Sequence, residues 1–117
     1  MTLKLYMHPL SSFCHKVLVA LYENGTSFES VIVDFSNSDS RAAFFEKSPM
    51  GKMPVLQDME SNVTLPESSI IIEYIHTHYP GHCGLLPQDA EELLQVRLWD
   101  RFLDLYIHQP MQRIVGE

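Results

Sequence analysis

The sequence predicts an α/β protein, with a domain of element order βαβαββα followed by the first helix of an all-α unit. Short apolar, β-branched runs alternate with segments of helical periodicity. Clusters of Pro and Gly separate these segments. The chain of 117 residues has room for one core of ordinary size but not for two complete domains. We therefore expect one complete unit and part of a second.

The first elements are predicted to be a strand, a turn and a helix. Leu3 and Leu5 mark a strand that stops before Pro9, because proline lacks the N–H that a strand donates. The helix begins at Ser11 or Ser12 and ends at Gly25. The remaining elements are a second strand over 28–35 with the β-branched bias of a buried strand, a short helix after the loop 36–40, strands over 54–57 and 62–65 joined by a turn, and a helix over 68–79.

The region after residue 80 is predicted to be a linker and one long helix. Asp89 caps this helix, and Pro110 should kink or stop it. Its apolar residues cover more than one stripe, so several neighbours are needed to bury it, and the chain does not contain them. We therefore interpret the chain, which ends Ile114-Val115-Gly116-Glu117, as truncated. The predicted units are a first domain over 1–80, a linker over 81–88, and the first helix of a truncated all-α C-terminal domain over 89–117.

The composition disfavours several classes of function. The formal net charge is −7, from 8 Lys and Arg against 15 Asp and Glu. Nucleic-acid binding needs clustered positive charge, whereas the basic residues here are scattered singly. No secretory signal or membrane-spanning run is apparent in the sequence. The two cysteines, Cys14 and Cys83, form no disulfide pattern, so we expect a cytoplasmic protein without nucleic-acid or membrane partners.

Ser11 and Ser12 lie at the predicted turn from the first strand into the first helix. Backbone N–H groups at a helix N-terminus stabilise an anion such as a thiolate. The same serines are also ordinary helix caps, and the local pattern by itself favours that simpler role. Both interpretations stay open at this point.

Two further signals lie at residues 53–54 and 67–68. The Met53–Pro54 bond is a candidate cis peptide that would let the Met53 backbone pair with an extended peptide, although trans proline is the commoner state. Glu67 and Ser68, at the head of a helix, suit the ammonium and carboxylate of an amino acid. A capped helix with an acidic first turn explains the same pair.

Taken together in this order, HPLSSFCHKVLVALYENG, SPMGKMPVL and LPESSIIIEYI resemble the N-terminal domain of glutathione transferases over residues 1–80. The segment LLPQDAEELLQVRLWDRFLDLYIHQPMQRIV is similar to the linker and first helix of the family's all-helical second domain, in the style of bacterial members. The resemblance implies a thioredoxin-like fold and glutathione as co-substrate, without a metal.

The resemblance also implies the roles of individual residues. It implies a serine-type enzyme in which Ser11 donates a hydrogen bond to the glutathione sulfur and favours the thiolate, with Ser12 as the alternative. The thiolate then attacks a small electrophile. In the implied glutathione site, the Met53 backbone ahead of Pro54 pairs with the cysteinyl part, Glu67 and Ser68 hold the γ-glutamyl end, and Lys52 reaches a carboxylate.

The activity implied by the resemblance has alternatives. A detoxifying transferase, usually a homodimer in this family, is the first. The second is a glutathione-dependent disulfide reductase or peroxidase, and the third is a non-catalytic interaction module. The motif SSFC resembles a redox CxxC whose first cysteine is replaced by serine, so dithiol chemistry is not available and a structural role is expected for Cys14.

Three other features receive lesser roles. Tyr6 lies inside the first strand and is expected in the core. His8 lies beside the proposed active turn, where it could tune the site. A zinc site is not expected from the histidines at 76, 78 and 82 with Cys83, because His76 and His78 lie on different faces of a helix.

Overall fold

The computed structural model describes residues 2–82 and 84–115, and its elements follow the predicted order. Met1, Cys83, Gly116 and Glu117, and the predictions that rest on them, lie outside the described residues. The elements are β1 (Leu3–Met7), α1 (Ser12–Asn24), β2 (Glu29–Ile32), α2 (Ser38–Lys47), β3 (Val55–Asp58), β4 (Val63–Pro66), α3 (Ser68–His78), α4 (Ala90–Leu103), a π-helical turn (Asp104–His108) and α5 (Gln109–Val115). The α/β class and the βαβαββα order with a C-terminal helix are confirmed.

The four strands form one mixed sheet in the order β2-β1-β3-β4. Strand β1 runs parallel to β2 and antiparallel to β3, and β3 and β4 form an antiparallel hairpin. Because side chains alternate along a strand, β1 sends Leu3, Leu5 and Met7 to one face of the sheet. They pack there with residues of α1, β3 and α3, namely Cys14, Val17, Leu21, Leu56, Ile71 and Ile75.

A second, smaller core contains Val33, Phe44 and Val55. Tyr6 packs against it and is half-buried, and its hydroxyl donates a 3.0 Å hydrogen bond to Gln57 Oε1. The expectation of a core role for Tyr6 therefore holds for its ring, while its polar end keeps a partner at the edge of the core.

Strand β2 is shorter and more exposed than predicted. It covers only Glu29–Ile32, and Ile32 is 60% exposed. The prediction of a buried strand over 28–35 is wrong because β2 is the edge strand of the sheet. β-Branched residues favour any pleated strand, so their presence does not separate an edge strand from a central one.

The helix termini follow the sequence closely. Gly25 ends α1 with a φ of 70°, a left-handed conformation that glycine adopts at little cost. Asp89 caps α4 as predicted, since its carboxylate accepts the Glu92 N–H at 3.0 Å.

Pro110 does not stop the C-terminal helical segment. The α-helical pattern changes at Asp104, six residues before the proline, and the backbone continues through the π-helical turn into α5. At the end of this turn, the Gln109 N–H donates to the Asp104 carbonyl five residues earlier. A π-helical turn is one of the ways in which a helix adjusts around an interrupted α-helical ladder, which explains why the predicted stop is absent.

Helix α4 presents an extensive apolar surface to solvent. None of its residues is buried, and Leu98 and Trp99 are 59% and 58% exposed. The sequence pattern had predicted more apolar surface on this helix than the chain covers, and this is observed. No helix within 2–82 and 84–115 is both long enough and apolar enough to cross a membrane.

Candidate functional site

The sheet register brings the predicted site residues to one end of the strands. Tyr6 in β1 is paired with Val55 in β3, and Val55 is paired with Pro66 in β4. Neighbouring strands lie about 4.8 Å apart. The chain therefore leaves or enters the sheet at three adjacent positions at the same end of the strands. The segments 7–12, 52–54 and 66–68, which contain the predicted site residues, therefore lie side by side at the end of the sheet where β1 and β4 end and β3 begins.

Ser11 is the N-cap of α1. Its Oγ accepts a 3.3 Å hydrogen bond from the Cys14 N–H, which is the role of an ordinary cap. Accepting this bond uses a lone pair and leaves the hydroxyl hydrogen for donation. The capping role and the thiolate-stabilising role of Ser11 are thus compatible, and the cap fixes where the hydroxyl lies.

Ser12 is engaged by the opposite end of the chain. Its backbone N–H donates to Gln112 Oε1 at 2.6 Å, and its Oγ lies 3.4 Å from the same oxygen. Ser12 is also only 8% exposed, whereas Ser11 is half-buried. Of the two serines, Ser11 is the one better placed to reach a ligand.

The segment 52–54 lies at the start of β3. The Met53–Pro54 peptide bond is cis. Within residues 2–82 and 84–115, Met53 takes part in none of the backbone–backbone hydrogen bonds that lie outside the regular helices and strands. Its N–H and C=O therefore have no backbone partner of this kind. The carbonyl of Lys52 accepts a 2.9 Å hydrogen bond from the buried Ser48 hydroxyl, which anchors this segment, while the Lys52 side chain is exposed.

Glu67 has an unusual backbone at the start of α3. Its φ of 72° and ψ of 117° lie in a region that residues other than glycine rarely adopt. Such a conformation costs about 1–3 kcal/mol, and it is often kept where a site needs it. The Glu67 side chain is exposed and forms no cap hydrogen bond, while Ser68 is 4% exposed as the first residue of α3.

Cys14 and His8 lie on either side of the turn from β1 into α1, and Cys14 lacks the environment of a redox-active cysteine. Cys14 is fully buried, and this burial raises the pKa of its thiol, against smaller lowering effects of hydrogen bonds with the Ser11 side chain and the His8 backbone. A buried thiol with a raised pKa is a poor nucleophile. His8 Nδ1 accepts the Leu10 N–H at 3.1 Å and so helps to shape the turn.

A polar cluster at the base of α1 was not predicted. Lys16 Nζ lies 2.5 Å from Asp100 Oδ1 and 2.9 Å from Asp104 Oδ2. Lys16 also donates to Ser69 Oγ at 3.0 Å, and the Ser69 hydroxyl donates to Asp100. The cluster joins α1, α3, α4 and the π-helical turn. No local pattern signals it, because its members are far apart in the chain.

Neither of two cavities in the described residues is lined by the segments 7–12, 52–54 and 66–68. Within the described parts of the chain, no group of three or more His, Cys, Asp or Glu is placed to hold a metal ion, and Cys83 is outside them. A cavity of about 410 Å³ lies at the opposite end of the sheet, near Thr2 and Tyr79. Another of about 270 Å³ lies between α1, α3 and α4.

Residues 1–77 match the family described as glutathione S-transferase, N-terminal domain. Protein LigF of Sphingobium sp. strain SYK-6 is 36% identical over 108 residues, covering 91% of this chain and 41% of LigF. Glutathione S-transferase U7 of Arabidopsis thaliana is 32% identical over 108 residues, covering 92% of this chain and 45% of that protein.

Solved structures agree with the family match. The crystal structure of beta-etherase LigF from the same Sphingobium strain has a TM-score of 0.81 at 32% identity, covering 93% of this chain and 45% of that chain. A glutathione transferase homologue from Sulfitobacter, solved with bound glutathione, has a TM-score of 0.78 at 26% identity. The match covers 92% of this chain and 51% of that chain.

The fold and these matches define a protein of the thioredoxin-like α/β class. The chain belongs to the glutathione S-transferase family through the N-terminal domain of that family. It spans a little under half the length of the LigF and U7 relatives.

Proposed function

We propose that this chain is the glutathione-binding part of a glutathione transferase. Its site lies at the end of the sheet formed by 7–12, 52–54 and 66–68. The register that pairs Tyr6 with Val55 and Val55 with Pro66 carries the proposal, because it brings three segments with complementary chemistry together. The bound glutathione of the Sulfitobacter homologue supports the choice of ligand. Division into 1–80, 81–88 and 89–117 remains part of the proposal.

In this site the Ser11 hydroxyl donates to the glutathione sulfur and favours the thiolate, since a hydrogen bond to the charged form lowers a pKa. The backbone of Met53 pairs with the cysteinyl unit. Glu67 holds the ammonium of the γ-glutamyl end, and Ser68 its carboxylate. Lys52, exposed beside Met53, reaches a carboxylate of the same ligand.

The resulting thiolate attacks an electrophilic carbon and forms a C–S bond, while the leaving group departs with the electrons of the bond that breaks. The similarity to a beta-etherase makes an ether, which would release an alkoxide, one acceptor worth assaying. The buried Cys14 disfavours a redox mechanism that uses a protein thiol. A reductase or peroxidase reaction at this turn would therefore use glutathione itself rather than the Cys14 thiol. Homodimer formation accompanies the proposal as a family property, and a cytoplasmic location as the expectation from the cysteine content of the sequence.

Retention on immobilised glutathione tests the proposed ligand. The chain should be retained and eluted by free glutathione, and Glu67→Ala should weaken binding by about tenfold to a hundredfold, because charge-assisted hydrogen bonds contribute about 1.5–3 kcal/mol. Isothermal titration gives the dissociation constants. Glu60→Ala removes the same charge from the turn at the far end of the β3–β4 hairpin and should bind like the original chain. Absence of any glutathione binding would contradict the proposal.

A further inference from the structure

The first N–H groups of α1 are not all free to stabilise an anion. A helix leaves its first N–H groups without partners in the helix, and these create the positive end of its dipole. In α1 the Cys14 N–H is taken by Ser11 Oγ at 3.3 Å. The Ser12 N–H is taken by Gln112 Oε1 at 2.6 Å. One of the donors next to the proposed thiolate position is therefore occupied by a side chain from α5.

The orientation of the Gln112 amide follows from its partner. The Ser12 N–H is only a donor, so Gln112 must present its oxygen to it. The Ser12 hydroxyl lies 3.4 Å from the same oxygen, which keeps this hydroxyl directed toward Gln112. The same contact thus occupies two polar groups of Ser12.

Gln112 is held in this position by the packing of its own segment. His108, one helical turn earlier, has its ring 5.1 Å from the Phe13 ring, which follows Ser12 directly. Asp104, at the start of the π-helical turn, is paired with Lys16 of α1 at 2.9 Å. The segment 104–112 is therefore attached to α1 at three successive points, and the contact of Gln112 is the one nearest the site.

We infer that Gln112 is a positioning residue. By occupying the Ser12 N–H at the N-terminus of α1, it raises the pKa of the glutathione thiol. The inference rests on the proposed function. The Ser12 amide nitrogen is bonded to the carbonyl carbon of Ser11, so a thiolate held by Ser11 lies within a few ångströms of it, by the standard dimensions of the backbone. The partial negative charge of the Gln112 oxygen at this position opposes the thiolate and offsets the helix dipole, while Ser11 remains the donor.

Two substitutions of Gln112 should shift the thiol pKa in opposite directions. Gln112→Met keeps a similar length but removes the acceptor, which frees the Ser12 N–H and should lower the pKa of bound glutathione. Gln112→Glu places a full negative charge there and should raise it. Shifts of about 0.3–1.5 units are expected from the size of helix-terminus effects. The ultraviolet absorbance of the thiolate, followed during a pH titration of the bound complex, measures them.

The same substitutions at Gln95 are matched controls. Gln95 is exposed on α4, and Gln95→Met and Gln95→Glu should leave the thiol pKa unchanged within about 0.2 units, because exposed charges at a distance are screened. A purely structural role for Gln112 predicts shifts of the same sign in Gln112→Met and Gln112→Glu. Shifts of the same sign, or none, would overturn the inference.

A reporter thiol separates this inference from glutathione binding. In a Ser11→Cys background, the pH dependence of alkylation at position 11 by iodoacetamide, followed by peptide mass spectrometry, gives the pKa of a thiol at the helix cap. The order Gln112→Met, then Gln112, then Gln112→Glu, from lowest to highest pKa, supports the inference even if glutathione does not bind. A different order overturns it even if glutathione does bind.

Discussion

At the scale of single residues, Ser11 has an observed structural role as a helix cap and a proposed chemical role toward the thiolate. Its oxygen accepts the Cys14 N–H, so the side chain is fixed by the helix that it caps. Ser12, one residue further on, faces Gln112 instead. The two neighbouring hydroxyls therefore differ in direction and exposure, although they are identical in chemistry.

Substituting the two serines should separate their roles. Ser11→Ala should raise the pKa of bound glutathione by about 1–2 units, because a hydrogen bond to a charged group contributes about 1.5–3 kcal/mol. Ser11→Thr, which keeps the hydroxyl, should restore most of the effect. Ser12→Ala should shift this pKa by less than half as much as Ser11→Ala does. Thiolate absorbance of the bound ligand is the measurement, and a larger shift in Ser12→Ala would assign the sulfur contact to Ser12.

The site residues that could be proposed from the sequence are those within recognisable local patterns. Ser11 and Glu67 each precede a helix, and Met53 precedes a proline, so each has a signal in its own neighbourhood. Gln112 has none. It lies 100 residues away from Ser12 and meets it only because the chain folds back on α1. The roles of Ser11, Met53 and Glu67 toward glutathione remain predictions.

At the scale of elements, the Lys16 cluster joins the first helix to the C-terminal helices. One ammonium faces two carboxylates, and the Lys16 and Asp104 side chains are only 15% and 12% exposed. Partly buried charges require partners, since removal of one leaves the other without compensation. The cluster thus makes the position of the π-helical turn dependent on α1.

Removing the Lys16 charge should loosen this connection. Lys16→Met should lower the free energy of unfolding by about 2–4 kcal/mol, because it leaves two carboxylates facing each other in a partly buried site. The double variant Lys16→Met with Asp104→Asn should lose less than the sum of the two single variants. Urea denaturation followed by circular dichroism measures these values.

The pair of Arg97 and Glu73 provides the comparison for Lys16. It also joins α4 to α3, at 2.9 Å, but its side chains are 52% and 37% exposed. Arg97→Met should therefore cost at most about 1 kcal/mol. Equal losses in Lys16→Met and Arg97→Met would show that burial does not distinguish the two pairs.

Two elements depart from prediction for reasons that lie outside their own residues. Strand β2 has a buried pattern in sequence, but its place at the sheet edge exposes Ile32. Pro110 should kink or stop the helix, but it does not stop it, because the helical backbone continues through the π-helical turn into α5. In both cases the outcome depends on neighbouring elements, and the local propensity of the residues does not record those neighbours.

At the scale of the whole molecule, Asp58 links the sheet to α3. It is 2% exposed, and its carboxylate accepts hydrogen bonds from the Tyr74 and Tyr79 hydroxyls at 2.7 and 2.6 Å. Burial by itself would raise the pKa of Asp58, but the bonds from Tyr79, Tyr74 and the Glu60 N–H outweigh it and lower this pKa below the ordinary 3.8. The charged form is therefore the one that the fold stabilises.

Stability should consequently decrease in acid. The contribution of Asp58 is fully present above its ordinary pKa of about 3.8 and is lost as the pH falls through the lower pKa of the folded state. Asp58→Asn should cost about 1–3 kcal/mol near neutral pH, and its free energy of unfolding should converge with that of the original chain toward pH 2. Urea denaturation at a series of pH values measures this. Tyr22→Phe, at an exposed tyrosine, should not change the pH dependence, and a constant Asp58→Asn difference down to pH 2 would contradict the linkage.

The class of fold, the order of the elements, the caps at Gly25 and Asp89, and the family can all be inferred without the structure, because each depends on periodicity or on residues close together in the chain. Only the folded structure shows that β2 is an edge strand, that Ser12 contacts Gln112 while Ser11 caps α1, and that Lys16 pairs with Asp104. These are contacts across 88 to 100 residues or positions within a sheet. They arise when apolar faces pack and bring distant polar groups together, and no local pattern records which groups will meet.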